Sequence, residues 1–254
     1  MPKNGDFKKL VRDRMSKTGE SYTSARMRMI RSGNSVESGP PLRLADPSGK
    51  GANGAADGPV IYQLKITIID IEPAIWRRVL VPAETTLDQL HKTIQAVFGW
   101  WDYHLHQYVV DGRHYGLPDP EYFDELPAVI DERSITLRDV LGASTIIYEY
   151  DFGDDWKHSV EIESVTMAGD PNIKYPVCTG GARACPREDC GGTSGYSRLL
   201  EILGDPMHEE YREVKTWAGK KYDPEKLDLL AIDRALRKLR KPPSEIRWGR
   251  EIRK

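Results

Sequence analysis

The order of secondary-structure signals along the chain of 254 residues limits its fold more than any other feature. Alternating apolar and polar residues, typical of half-buried strands, recur between about residues 60 and 165, beginning with Tyr62, Leu64 and Ile66. Helical periodicity dominates after residue 196. Strands followed by helices predict an α+β fold with a mixed or antiparallel sheet, rather than a parallel α/β sheet.

Local capping and turn signals place two elements within the strand region. Thr85 or Thr86 can cap a helix that Gly99 ends, which puts one helix in the first half of the chain. Two alternating segments, 145–152 and 156–165, flank Gly153-Asp154-Asp155 and predict a hairpin.

The C-terminal part is predicted to be a long loop followed by helices. Residues 176–195 contain five glycines and all three cysteines of the chain and are expected to form that loop. Helices are expected over 196–203, from Asp205-Pro206 to Ala218, and from Asp223-Pro224 onward. The apolar face of the last helix would contain Leu229, Ile232, Leu236 and Leu239.

Composition divides the chain into four segments. We expect a basic helical segment over 1–32, a disordered Gly/Ser/Pro-rich linker over 33–59, an α+β domain over 60–241 and a basic tail over 242–254. The sequence has no run of 18 apolar residues, so no membrane span is predicted. Three cysteines argue against a disulfide framework and favour the reducing cytoplasm.

Charge is distributed unevenly. Residues 1–33 carry nine basic and three acidic groups, and residues 234–254 carry nine basic and two acidic groups, which leaves the 200 residues between them strongly acidic. Basic ends favour a nucleic-acid partner, although they can equally contact the acidic body or keep the protein soluble. The candidate phosphate contacts in the N-terminal segment are Lys8, Lys9, Arg12, Arg14, Arg26, Arg28 and Arg31.

Several motifs in combination resemble one known family. They are Tyr62-Gln63-Leu64-Lys65 with Pro73-Ala74-Ile75-Trp76-Arg77-Arg78, Phe98-Gly99-Trp100 with His104-Leu105-His106, Tyr150-Asp151-Phe152-Gly153-Asp154-Asp155-Trp156, and Cys185-Pro186-Arg187-Glu188-Asp189-Cys190-Gly191-Gly192 with Gly195-Tyr196. Over about residues 60–240 the chain resembles the Ri-plasmid ORF-three-like family of bacterial plasmids and chromosomes. The resemblance implies a link to mobile DNA and no established activity.

The three cysteines form a candidate metal site. Cys178, Cys185 and Cys190, with His208 as a fourth ligand, offer the soft and imidazole ligands that zinc prefers, so zinc is the candidate cofactor. The spacing lacks the usual C-x-x-C pair, and the alternative is three unrelated thiols, some of them buried.

Carboxylates supply a second candidate binding site. Asp151, Asp154 and Asp155 can ligate Mg²⁺ or Ca²⁺, or they can simply stabilise the hairpin turn, with Trp156 anchoring it in the core. Glu188 and Asp189, beside two glycines, present the same two alternatives. His104 and His106 are two residues apart on a predicted strand, which would place both on one face, as the start of a metal or acid–base site or as part of an exposed sheet face.

No catalytic motif is recognisable in the sequence: it has no P-loop, no G-x-S-x-G and no H-E-x-x-H. A resolvase activity is not predicted, because nothing pairs a serine with a base. We therefore predict a non-enzymatic binding or adaptor protein associated with plasmids or mobile DNA, acting on an unknown protein partner with weak nucleic-acid binding through its basic ends. The alternative is a metal-dependent hydrolase or nuclease that uses the acidic hairpin or the cysteine loop.

Overall fold

An eight-stranded mixed sheet forms the centre of the described structure. The computed structural model describes residues 58–118 and 129–240. The strand order is β5-β4-β3-β6-β7-β1-β2-β8, and neighbouring strands are antiparallel except for β4 and β5. The strands are β1 Val60–Ile68, β2 Trp76–Pro82, β3 His106–Val110, β4 Arg113–Gly116, β5 Ile130–Asp131, β6 Ile146–Tyr150, β7 Trp156–Met167 and β8 Val177–Ala182.

Strand β1 is an interior strand of the sheet, and its alternating pattern gives it one buried face. Tyr62, Leu64, Ile66 and Ile68 are buried, whereas the polar residues between them are partly exposed. β1 pairs with β2 on one side and with the long strand β7 on the other. The predicted α+β class and the predicted hairpin, which is β6–β7, are both confirmed.

Helix α1, Leu87–Phe98, packs its apolar face on the sheet. Thr86 caps its start in a reciprocal capping box with Gln89, and Gly99 ends it in the left-handed conformation with φ 77°. Beside the apolar residues Leu87, Leu90, Ile94 and Val97, the same buried face carries His91 and Gln95. These two polar side chains lead directly to the candidate site.

The C-terminal region differs from the prediction at its start. Residues 177–182, expected in a loop, form edge strand β8, which pairs with β2. The glycines that suggested a loop have a packing role here: a Cβ on Gly181 would lie 2.6 Å from the carbonyl oxygen of Trp76. Glycine is therefore required in this strand because two backbones approach closely, and not because the chain turns.

The helix starts in this region also differ from the prediction. The helices are α2 Gly192–Gly204, α3 Tyr211–Ala218 and α4 Leu229–Leu236. Neither Asp205 nor Asp223 caps the start of a helix, because each accepts a hydrogen bond from the backbone N–H two residues later and so forms a turn. On α4, Ile232 and Leu236 are buried as predicted, but Leu229 is exposed.

The predicted segments 1–32 and 242–254, and nearly all of the linker 33–59, lie outside the described residues. All the elements above fall within one compact unit. Among residues 58–118 and 129–240, none of the helices combines the length and the apolar character needed to cross a membrane.

Candidate metal-binding site

Three chain segments that are distant in sequence meet at the carboxyl end of helix α1. They are the loop 99–105 between α1 and β3, the β6–β7 turn, and the segment that precedes α2. Each contributes one metal-ligand type: His104, Asp151 and Asp189, which we call the outer cluster. The His104 Nε2 atom lies 3.1 Å from an Asp189 carboxylate oxygen and 3.7 Å from an Asp151 carboxylate oxygen. One ligand atom from each residue lies within 4.8 Å of the other two.

The β6–β7 turn fixes Asp151. Its backbone is left-handed, with φ 53°, and its N–H donates to the carbonyl oxygen of Leu105. One carboxylate oxygen accepts hydrogen bonds from the backbone N–H groups of Gly153 and Asp154. The other oxygen is the one that lies nearest to His104. Turn formation and ligand presentation, which the sequence offers as alternatives, are therefore compatible in this residue.

The remaining acidic side chains support the cluster in different ways. Asp154 accepts from the backbone N–H of Gly191 at 3.0 Å, which joins the hairpin to the start of α2. Glu188 accepts from the Tyr150 hydroxyl at 2.5 Å and from the Trp101 N–H at 2.9 Å. Asp155 pairs with Lys157, away from the cluster. Trp156 is fully buried and anchors the hairpin in the core, as the sequence suggests.

The electrostatics of the outer cluster favour a cation. Burial, with a further contribution from Asp154, raises the pKa of Asp151. The His104 Nε2 atom is buried and makes no hydrogen bond among the described residues, although the Asp189 carboxylate is close. The imidazole nitrogen thus faces two carboxylates at ion-pair distance without a well-directed hydrogen bond to either of them. A divalent cation would satisfy all three groups at once.

A second group of polar residues, the inner cluster, lies beneath the same loop. It consists of His91, Asp102, His106, Glu132 and Tyr148. His91 Nε2 is 2.8 Å from an Asp102 carboxylate oxygen, and its Nδ1 is 2.8 Å from the Tyr148 hydroxyl. His106 Nε2 lies 3.0 Å from both carboxylate oxygens of Glu132, whose side chain is completely buried.

The hydrogen bonds of the inner cluster form a consistent chain. Gln95 donates its amide hydrogen to the Tyr148 oxygen. Tyr148 can then donate to His91 Nδ1, which leaves the His91 Nε2–H to donate to Asp102. This assignment requires a neutral His91, and burial, with a second contribution from His106, lowers the pKa of His91 to about 4.

The inner cluster is a poor metal site despite its ligand types. His91, Asp102 and His106 do bring ligand atoms within 4.8 Å of one another. However, the two imidazole rings are stacked with centroids 3.5 Å apart and planes only 3° from parallel. Because an imidazole lone pair lies in the ring plane, stacked rings cannot direct their lone pairs at one ion. The inner cluster is therefore a hydrogen-bonded support for the loop above it.

The structure does not assemble the predicted zinc ligands. Cys178 lies in β8, Cys185 and Cys190 lie in the segment before α2, and His208 accepts from the Glu210 N–H in a turn. Across the part of the chain that the structure describes, no group of three close ligands includes any of these four residues. The cysteines are free, and burial raises the pKa of each thiol, which disfavours the thiolate that binds metal.

The prediction for His104 and His106 is corrected by the structure, and the prediction of phosphate contacts in the N-terminal segment stays a prediction. His104 precedes β3 rather than lying in it, so His104 and His106 belong to different clusters instead of sharing one strand face. The basic residues predicted to contact phosphates, Lys8 to Arg31, lie outside the described residues.

The sequence interpretation missed most of the inner cluster. His91 falls on the apolar face of α1, one position after Leu90 and three before Ile94, and this spacing signals a buried imidazole. Glu132 carries no comparable signal, because nothing in its local sequence distinguishes it from an exposed carboxylate.

The fold and the site define an α+β protein with a mixed sheet and a surface His–carboxylate cluster. The family model described as plasmid pRiA4b ORF-3-like protein matches residues 60–231, and the chain belongs to that family. The predicted resemblance is thereby confirmed.

Two similar proteins are described without an assigned role. The uncharacterized protein y4hQ of Sinorhizobium fredii is 34% identical over 198 residues, which cover 76% of this chain and 97% of that protein. The crystal structure of MM3350, a protein of unknown function from Methanosarcina mazei Go1, matches with a TM-score of 0.62 and 38% identity. That match covers 68% of this chain and 97% of the other.

Proposed function

We propose that this chain is a binding protein that acts through a divalent metal ion held by His104, Asp151 and Asp189. The observation that carries the proposal is the convergence of these three side chains, from three distant segments, around a buried imidazole nitrogen without a hydrogen bond. One imidazole and two carboxylates form an intermediate ligand set that suits Mn²⁺ or Zn²⁺.

The position of the outer cluster favours binding over catalysis. The Asp189 side chain is 68% exposed, so the cluster opens onto the surface. Two open pockets of about 500 and 490 Å³ are lined by residues of other regions, the first around Arg183 and Tyr222 and the second around Val177 and Arg240. Enzymes usually surround a small substrate with a concave pocket, whereas a metal at an open surface can bind a ligand that stays partly in solvent.

Calorimetric titration of the full chain with Mn²⁺ tests this proposal. We expect one site in the wild type and at least a tenfold weaker affinity in His104→Ala and in Asp189→Asn, since each removes one of three ligands. Two matched controls should bind normally: His208→Ala, and Asp70→Asn, which changes an exposed aspartate in another left-handed turn. Equal binding by wild type and both ligand variants would overturn the proposal.

We further propose that the basic ends add weak, sequence-tolerant affinity for nucleic acid, in keeping with the link to mobile DNA. The support is the charge contrast between the basic ends and the acidic body, because an acidic surface repels phosphate. Replacing Lys8, Lys9, Arg12 and Arg14 with glutamine in the full chain should weaken duplex binding and reduce its dependence on salt. Duplex binding that is unchanged in this variant would show that other residues carry the affinity for nucleic acid.

Metal-dependent hydrolysis is a second candidate function. The observation that favours it is the number of protein ligands: three leave coordination positions free for water, as in catalytic rather than structural metal sites. With Mn²⁺ added, the wild type would then cleave bis(p-nitrophenyl) phosphate and Asp151→Asn would not. Equal rates for the two proteins would eliminate hydrolysis at this site.

A further inference from the structure

The loop that carries His104 also exposes three large apolar side chains. Trp101, Tyr103 and Leu105 are 68%, 74% and 55% exposed. The rings of Trp101 and Tyr103 lie in contact, with centroids 6.1 Å apart and planes 26° from parallel. Isolated exposed apolar residues are ordinary, but a stacked aromatic pair on one short loop is a pre-formed contact surface.

The backbone of this loop is held rigidly while its aromatic side chains remain in solvent. The N–H groups of Trp101, Asp102 and Tyr103 donate, in order, to the Glu188 carboxylate, the Gln95 amide oxygen and the Tyr150 hydroxyl, at 2.9, 3.1 and 3.1 Å. Asp102 adopts a left-handed conformation with φ 60°. The fold therefore orders a loop whose exposed rings contribute little to its own core. Such ordering lowers the entropy cost of binding a ligand.

We propose that the metal-loaded outer cluster and the Trp101–Tyr103 pair together bind a nucleotide. The base stacks on the exposed aromatic pair, and a phosphate oxygen takes an open coordination position on the cation held by His104, Asp151 and Asp189. The inference rests on the proposed metal site and names the ligand class of that site. Stacking on an aromatic side chain accepts any base, so the site selects a nucleotide without selecting its sequence.

Proximity along the chain supports a shared ligand. Tyr103 directly precedes His104, so their Cα atoms lie about 3.8 Å apart. The His104 ring in turn contacts Tyr150, which holds the Tyr103 backbone, with centroids 5.8 Å apart. Tyr103 and the metal ligand His104 therefore both contact Tyr150.

The local charge makes the metal indispensable for this binding. Asp102 in the loop, and Asp154, Glu188 and Asp189 in the segments that meet it, carry negative charge that repels a phosphate group. A divalent ion coordinated directly to a phosphate oxygen offsets this repulsion at the point of contact. Nucleotide binding at this site should therefore require metal, whereas binding by the basic ends should not.

Equilibrium dialysis of the full chain against adenosine monophosphate, with Mn²⁺ or with EDTA, tests the inference. At about 0.15 M salt, charges beyond about 8 Å are largely screened, which limits the contribution of the basic ends. We expect binding with Mn²⁺ and at least a tenfold loss in EDTA. Trp101→Ala should lose at least tenfold in nucleotide affinity while Mn²⁺ affinity, measured in parallel, stays unchanged. Trp217→Ala, which removes another exposed tryptophan, should match the wild type.

A second arm replaces the mononucleotide with a short oligodeoxyadenylate. If both ligands bind only with metal, and Trp101→Ala loses both, the nucleotide site is open to a single strand. If only the mononucleotide binds, the site is one for the free nucleotide.

Failure of the nucleotide inference can be distinguished from failure of the proposed metal site. Mn²⁺ binding without nucleotide binding, or with full nucleotide binding by Trp101→Ala, overturns the nucleotide inference and leaves the metal site standing. Absence of Mn²⁺ binding overturns both. Binding of trimethyl-lysine in EDTA, lost in Trp101→Ala, would show instead that the aromatic pair and its carboxylates form a site for organic cations.

Discussion

The inner and outer clusters use the same residue types for different purposes. Both combine histidine with carboxylates, and the loop 99–105 contributes Asp102 to one and His104 to the other. In the inner cluster the carboxylate of Glu132 is completely buried and each imidazole has a partner. In the outer cluster Asp189 is mostly exposed, and the His104 Nε2 atom makes no hydrogen bond among the described residues.

The contrast shows that residue type alone does not identify a binding site. A buried polar group that is fully hydrogen-bonded stabilises the fold, and removing one partner leaves the other unpaired. The outer cluster, which opens to the surface through Asp189 and leaves the His104 Nε2 atom without a hydrogen bond, is free to bind a ligand. Substitutions in the inner cluster should therefore reduce stability, and substitutions in the outer cluster should reduce metal affinity.

The largest stability effect is expected for Glu132→Ala. The substitution leaves the largely buried His106 without the hydrogen-bond partner of its Nε2 atom, which costs about 1–3 kcal/mol, and the cavity left by the buried Glu132 side chain adds to that loss. Urea unfolding of the two proteins measures the difference. Glu201→Ala, at an exposed position on α2, is the matched control and should stay within about 0.5 kcal/mol of the wild type. If Glu132→Ala lost as little stability as the control, Glu132 would have no structural role.

Acid should destabilise the inner cluster. Because burial lowers the pKa of His91 to about 4, the unfolded chain binds a proton at this residue below about pH 6.5 that the folded chain does not. The free energy of unfolding should therefore fall as the pH drops from about 6.5 towards 4, by up to about 1.4 kcal/mol per pH unit for this proton.

The variant His91→Gln sharpens that test. Its stability should depend less steeply on pH over the same range, since the titrating imidazole is gone. His158 should preserve part of the dependence, because complete burial lowers its pKa to about 3. Identical pH profiles for wild type and His91→Gln would show that His91 is not held neutral by the fold.

A smaller loss is expected for Tyr148→Phe. The change removes the hydroxyl that links Gln95 to His91 and leaves two buried polar groups with fewer partners, which should cost about 1–2 kcal/mol. Tyr103→Phe makes the same chemical change on an exposed ring and should be nearly neutral. Comparable urea midpoints for the two variants would contradict the distinction between the buried network and the exposed loop.

The smallest stability effect is expected for Asp189→Asn in the outer cluster. Asp189 is exposed and lies near Asp151 and Asp154, so removing its charge relieves repulsion and should change stability by about 0.5 kcal/mol or less. Thermal unfolding without added metal measures this change. A loss similar to that of Glu132→Ala would show that the outer cluster is structural as well.

The sequence predicted features whose determinants are local. The Thr86 and Gly99 caps and the hairpin around Gly153-Asp154-Asp155 depend on neighbouring residues; Gly99 and the hairpin were predicted correctly, and the N-cap was narrowed to Thr85 or Thr86. The Asp-Pro pairs were misinterpreted because an aspartate forms the same type of bond to the backbone in a turn as at a helix start. Strand β8 was missed because it is specified by pairing with β2, about 100 residues earlier.

The candidate site could be predicted only in part for the same reason. Asp151 and Asp189 were both identified as candidate binding residues, but nothing in the sequence indicates that they meet each other and His104. That meeting depends on contacts between segments, such as Asp154 with Gly191 and Trp100 with the carbonyl oxygen of Pro186. The separation of His104 from His106 depends on the residue at which β3 begins, and element boundaries are the least certain part of a sequence-based prediction.

Pulsed electron paramagnetic resonance of Mn²⁺ bound to the full chain tests the central claim most directly, because it detects nitrogen coordinated to the ion. We predict a signal from one imidazole nitrogen in the wild type and in His208→Ala, and its loss in His104→Gln. A nitrogen signal that persists in His104→Gln, or bound Mn²⁺ with no coordinated nitrogen in the wild type, would contradict the assignment of the metal to His104, Asp151 and Asp189.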